Sequence, residues 1–172
     1  MPPRTVRKTN QTILFAVEGD TELAFLTHVK GCYGGRDCNV SVRIRNARGH
    51  GPLGIVDALI SGVRGKSYDF LAAMLDSDIP LCDESKRYFK RYGVTLFQSN
   101  PAIEGTILKL GNNRLLENAA TGDCKRMLAK LYPGDSMDVR FYERHFNKEF
   151  IDANRGRVLL VDELIDYLTA PK

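Results

Sequence analysis

The chain has 172 residues, 43% of them hydrophobic and 27% charged, with a net charge of +4. That length gives one domain with a substantial core. The composition is that of a soluble globular protein, which excludes a disordered chain or a membrane-embedded one. The positive balance permits an acidic partner without demanding one.

Taken in chain order, residues 1–11 form a short basic arm. The residues Met1 to Asn10 lack the apolar stretch of a secretion signal, and no segment is long enough to span a bilayer, so a cytoplasmic location with no membrane partner is expected. An apolar run at about 12–18 predicts a strand, followed by a helix from Thr21 to Lys30 that Gly31-Cys32-Tyr33-Gly34-Gly35 breaks. Val40 to Arg45 alternates apolar and basic residues, as in a half-buried strand with Arg43 and Arg45 on its outer face. A glycine-rich loop, Arg48-Gly49-His50-Gly51-Pro52, precedes a helix whose apolar residues recur at helical spacing from Leu53 to Val63. The most apolar strand, about 69–75, ends in Asp76-Ser77-Asp78. A charged helix over Asp83 to Tyr92 and a strand over Val94 to Gln98 come next, and a helix from Ala102 to Leu110 follows Ser99-Asn100-Pro101. Beyond Gly111, helices are expected near 123–132, 138–153 and Val158 to Leu168. The four cysteines, at 32, 38, 82 and 124, include no CxxC pair and no histidine at zinc-finger distance. Reduced thiols are therefore expected rather than a structural zinc site.

Strand–helix alternation through residue 110 implies βαβ crossovers and a mostly parallel, helix-covered sheet, an α/β fold. Two acidic clusters then stand out. Glu18-Gly19-Asp20-Thr21-Glu22 follows the first strand, and Asp76-Ser77-Asp78 ends the third, and carboxyl ends of such strands face the ligand crevice. Gly19 allows a sharp turn into a helix capped by Asp20 or Thr21, so that Glu18 and Glu22 converge. Asp76 and Asp78 share a side if the backbone stays extended. Gathered carboxylates repel unless a cation or proton neutralises them, and these oxygens suit Mg²⁺ or Mn²⁺. The plainer alternatives are acidic residues favoured in a helix's first turn and ordinary Asp-x-Asp turn chemistry.

The ordered set Val17-Glu18-Gly19-Asp20-Thr21-Glu22, Leu75-Asp76-Ser77-Asp78 and Ser99-Asn100-Pro101-Ala102-Ile103-Glu104 resembles the Toprim domain of topoisomerases, primases and several nucleases. With its second glutamate it is more like the nuclease branch, the overcoming-lysogenization-defect and small RloB-like proteins. The resemblance covers roughly residues 12–110, leaving 111–172 as a helical extension packed on the same domain. It implies a sheet of about four strands between helices. It also implies Glu18, Asp76 and Asp78 as catalytic residues, and Glu18, Glu22, Asp76, Asp78 and Glu104 as metal ligands. The activity implied is metal-dependent phosphodiester hydrolysis of DNA or RNA by an activated water. Small proteins of this branch resemble parts of restriction or phage-defence systems, which implies an ATPase or other defence-system partner. The sequence departs from the RloB-like pattern after Glu104: an aromatic and Leu-rich continuation is missing, and Gly105 is expected to weaken the helix.

Arg48, His50 and Lys109 are the candidate substrate-binding residues, since cations beside a metal cluster grip phosphates. For a lone loop histidine, a bystander role stands beside that reading. Lys86, Arg87, Lys90 and Arg91 are expected to form a solvated face, and Tyr132, Phe141, Tyr142 and Phe146 to belong to the core. Two further readings compete: phosphoryl transfer through Asp76 or Asp78 as acceptor, and a Toprim-fold module that binds nucleic acid or a partner without turnover.

Overall fold

The computed structural model describes residues 10–34, 38–115 and 119–172. Four parallel strands, β1 (Gln11–Val17), β2 (Val40–Asn46), β3 (Phe70–Asp76) and β4 (Thr95–Ser99), form one sheet in the order β2-β1-β3-β4. The order follows from composition. Strands inside a parallel sheet are covered on both faces and read as unbroken apolar runs. Ile13 to Val17 of β1 and Ala72 to Leu75 of β3 are all fully buried. The strands carrying Ser41, Arg43 and Arg45, or Gln98, take the two edges.

Register fixes which side chains share a face. Phe15 pairs with Ala72 and with Ile44, and Val17 pairs with Met74 and with Asn46. Ile13, Phe15, Val17, Ala72, Met74 and Phe97 face the larger core, against α1 (Asp20–Tyr33) and α4 (Ile103–Leu110). Leu14, Ala16, Ala73 and Leu75 face a smaller core closed by α2 (Gly51–Val63) and α3 (Asp83–Tyr92). The sheet is therefore covered on both sides, as the sequence pattern predicts for an α/β protein.

The later segment adds α5 (Thr121–Leu131), α6 (Val139–His145), α7 (Lys148–Asn154), a 3₁₀ turn (Arg155–Arg157) and α8 (Leu159–Thr169). Leu128, Tyr142, Phe146, Ile151, Val161, Leu164 and Leu168 join the larger core rather than forming one of their own. Tyr142, Phe141 and Phe146 are buried, in keeping with a core role. In α8, Tyr167 lies edge-on to Phe97 and donates its hydroxyl to the Leu71 carbonyl, so this helix shields the β4 side of the sheet.

Several boundaries differ from the sequence pattern. Gln11 already pairs in β1, while residues 1–9 of the basic arm lie outside the described residues, as does Gly35 of the expected break. Gly31 sits inside α1, which runs on to Tyr33; Cys32 and Tyr33 have enough packing and hydrogen bonding to carry the helix past a poor former. Residues 138–153 are two helices, because the Asn147 side chain accepts the Phe150 N–H and starts a new one. The four cysteines are free thiols.

Candidate acidic centre at the carboxyl edge of the sheet

From β1 the chain crosses to β2 on one side, then returns past β1 to β3 on the other. The crevice at the carboxyl ends of β1 and β3 is therefore the topological switch point, where open α/β sheets bind ligands. Glu18 directly follows β1, and Asp76 is the last residue of β3. Glu22 lies in the first turn of α1 and Glu104 in the first turn of α4. Two helix N-termini, with their unsatisfied N–H groups, thus deliver carboxylates to the same edge.

Gly19, not Asp20 or Thr21, is the N-cap of α1. A Cβ at Gly19 would stand 3.2 Å from a Glu22 carboxylate oxygen, so the glycine lets Glu22 fold back towards the strand tip. Asp20 instead accepts a 2.7 Å hydrogen bond from the Asn46 amide at the end of β2. Asp76 has a structural partner too: its Oδ1 accepts the Ile103 N–H at 3.0 Å, pinning the start of α4 to β3. Gly105 is a requirement of this packing rather than a weakness. A Cβ there would meet Pro101 Cδ at 2.9 Å and the Asn100 carbonyl at 3.1 Å.

The four carboxylates act on one another. Burial, then the charges of Glu22, Glu104 and Glu18, push Asp76 up to about 8. Burial raises Glu22 above the usual carboxylate range, helped by Glu104 and Glu18. Glu18 is raised by burial and by Asp78, against the Asp76 N–H and Lys125. Burial and Asp78 likewise raise Glu104, opposed by Lys125. Glu22 and Glu104 are 5% and 3% exposed, which makes uncompensated charge there costly. Glu18 Oε2 and Glu104 Oε2 are buried with no hydrogen-bond partner.

Asp78 does not share Asp76's environment. The chain leaves the extended conformation at Ser77, whose N–H donates to the Ser99 and Pro101 carbonyls, and turns so that the Ile79 N–H reaches the Asp76 carbonyl. The expected side-by-side pair is therefore corrected: Asp78 is exposed at the rim and accepts a hydrogen bond from the Thr121 hydroxyl of α5. Lys109 donates to the Asn100 carbonyl at 3.0 Å, a contact that braces the α4 turn. Arg48 is exposed in the left-handed region, and its N–H is held by Asn46 Oδ1 at 2.7 Å. The Gly49 N–H donates to the Glu18 carbonyl at 2.8 Å, so this loop is tied to the acidic tip. His50, exposed, caps α2. Arg43 and Arg45 are half-buried rather than on a free outer face, and Arg45 Nε is enclosed without a partner. Lys86, Arg87, Lys90 and Arg91 are exposed on α3.

Three participants carry no signal in the local pattern. Lys125 and Thr121 come from α5, and Tyr142 from α6. Lys125 is the cation that bears on both Glu18 and Glu104. Tyr142 is fully buried beside the centre, its hydroxyl directed at the Thr21 carbonyl, and burial with the charges of Glu104 and Glu22 keeps its phenol protonated.

Among the described residues, no three His, Cys, Asp or Glu side chains close into a metal-chelating group. The donor chemistry fits a hard divalent cation even so: only carboxylates, desolvated, mutually repelling, and with unpartnered buried oxygens on two of them. Together these features define an open, all-parallel α/β protein with a carboxylate-rich centre at its switch point. Compared with family models, curated proteins and solved structures, the chain has no significant match. Among the described residues, no helix is long and apolar enough to cross a membrane.

Proposed function

We propose that the chain is a Toprim-like, divalent-metal-dependent enzyme that hydrolyses phosphodiester bonds in nucleic acid. The observation that carries this reading is the convergence of Glu18, Glu22, Asp76 and Glu104 at the switch point, where Asp76 is pushed up to about 8 by burial and by its three neighbours. Mg²⁺ or Mn²⁺ held by these four, with Asp78 at the rim, would supply charge neutralisation and an activated water at neutral pH. Buried carboxylates of raised basicity bind a cation in exchange for a proton. Asp76 keeps one oxygen on the Ile103 N–H, which fixes its carboxyl plane and leaves the other oxygen for the ligand. Glu18, raised above the ordinary range yet only half-buried, is the group suited to hold or release a proton beside the phosphate. Arg48, on the loop tied to Glu18, would contact the nucleic-acid backbone, and His50 follows it at the mouth of the same loop.

The experiment is cleavage of labelled single- and double-stranded DNA and RNA with Mg²⁺, with Mn²⁺ and with chelator. Metal-dependent cleavage that Asp76→Asn lowers at least about a hundredfold, of the size usual for loss of a group that acts in the transition state, is the expected result. Cleavage by Asp76→Asn at the parent rate would sink the proposal. A second reading, a binding module without turnover, draws on the engagement of Asp78 by Thr121 and on the finding that, among the described residues, no chelating group is closed. It predicts salt-sensitive nucleic-acid or protein-partner binding that chelator leaves unchanged, with no cleavage of any substrate. A cytoplasmic defence system with an ATPase partner is the setting the Toprim resemblance suggests.

A further inference from the structure

Glu104 belongs to the acidic centre and also to the wall of a cavity of about 230 Å³ between α4, α5 and the loop leading to α6. The lining is mixed: Thr21, Glu104, Lys125 and Ser136 are polar, and Leu128, Ala129, Tyr132, Met137 and Phe141 are apolar or aromatic. Glu104 and Lys125 are its charged groups, and Glu104, which also acts on Asp76, joins the cavity to the carboxylate cluster.

The Tyr132 wall is fixed in advance. The Tyr132 hydroxyl accepts the Asn113 amide at 3.1 Å, and the ring packs so closely on Gly111 that a Cβ there would lie 2.2 Å from its oxygen. Tyr132 and Phe146 rings stand 4.8 Å apart, backing that wall with buried core. A ligand that satisfies both the Lys125 ammonium and the apolar and aromatic lining carries an anionic group next to a flat, largely apolar body. The volume lies below the roughly 300–1,000 Å³ of sites for drug-sized molecules, which limits the flat body to one ring system rather than a stacked pair.

We propose that this cavity is a single-base subsite, taking the nucleobase next to the reacting phosphate while Lys125 contacts the phosphate between them. The assignment rests on the phosphodiester reading and narrows it. A base stacked and paired within a duplex cannot enter such a cavity without being extruded, so the preferred substrate class is a single strand or a frayed end. Tyr132, half-buried on the cavity wall, offers the aromatic surface on which any base can stack, which predicts little sequence preference. Lys125, whose charge bears on Glu18 and Glu104 in the free protein without pairing with either, would take the backbone phosphate as its partner in the complex.

The test uses the full chain in Mg²⁺ and a phosphorothioate tetranucleotide bearing 2-aminopurine at each position in turn, with a blunt duplex of the same sequence as competitor. The expected result is quenching from one position, duplex binding at least about tenfold weaker, and a loss of about tenfold, the worth of one base stack, in Ala129→Trp. Ala129 is an exposed residue of α5 that lines the cavity, so the indole fills it without entering the core. Met137→Trp, from an exposed position on another wall, serves as the second filling variant, and circular dichroism confirms that each is folded. Lys125→Ala should lower the salt dependence of binding by about one phosphate contact. Folded filling variants that bind as the parent does, or duplex binding equal to the single strand, would overturn the subsite. If those variants cleave normally while Asp76→Asn does not, the subsite falls and the hydrolytic reading stands. If the tetranucleotide binds and the variants block it while no protein cleaves, the subsite stands and hydrolysis falls.

Discussion

Asp76 holds together two roles that oppose each other. As the acceptor for the Ile103 N–H it stabilises the start of α4, but its charged form, half-buried among three other carboxylates, destabilises the fold. The sign of the pH effect follows from its raised value. The folded state keeps the proton up to about 8, whereas the unfolded chain releases it near 3.8, so the folded state binds more protons in between. Stability from this group is fully present below the unfolded value and is lost as pH rises towards about 8. Glu18, Glu22 and Glu104 are shifted in the same direction and add to the trend. Thermal melts of metal-free protein should therefore show falling stability between about pH 5 and 8, and Asp76→Asn, which keeps an acceptor for Ile103, should flatten that slope. Identical slopes for parent and variant would show that Asp76 is not the group responsible. Gly105 is the other residue whose role shows only in its surroundings. Gly105→Ala should cost about 1–3 kcal/mol in chemical denaturation, since the methyl has ring and backbone atoms rather than a flexible side chain in its way.

At the scale of elements, the two helices that start at the carboxyl edge do what no loop would do as firmly. The first turns of α1 and α4 offer unsatisfied N–H groups and the positive ends of their dipoles, which offset part of the repulsion among Glu22, Glu104 and their neighbours. The acidic residues in those first turns suit the helices as helices, and their shared position at the switch point is what makes them a centre. The junction between α6 and α7 illustrates a different local rule. Asn147→Ala removes the side-chain acceptor for the Phe150 N–H and should cost about 1 kcal/mol, typical of a lost N-cap, read as a lower denaturation midpoint. An unchanged midpoint would mean that packing of Phe146 and Ile151 alone fixes the break between the helices.

For the whole molecule, the C-terminal segment changes what the sheet can do. Helices α5 to α8 complete the larger core, and α5 sets Lys125 over the acidic edge and Thr121 against Asp78. A cation that binds only the folded chain would stabilise it by mass action, by about 2.7 kcal/mol at a hundredfold excess over its dissociation constant. Because bound protons compete with the cation, the gain in melting temperature on adding Mg²⁺ or Mn²⁺ should be larger at about pH 8 than at about pH 6. A gain independent of pH, or one retained by Asp76→Asn, would place any bound cation elsewhere.

The sequence by itself determined the parallel α/β sheet and the strand tips that carry Glu18 and Asp76, because apolar runs covered on both faces and the glycine after β1 are local signals. Its periodicity also located the helices, though the Gly19 N-cap moved the start of α1 and Asn147 split the 138–153 segment into two helices. Only the tertiary structure decided that Asp78 turns to the rim, that Lys109 braces Asn100, and that Arg45 Nε is enclosed. It alone brought Lys125 and Tyr142 to the acidic edge from helices far along the chain. The physical reason is separation in sequence: hydrophobic period and turn chemistry act over a few residues, whereas charge and burial act between whatever side chains the packed core sets together.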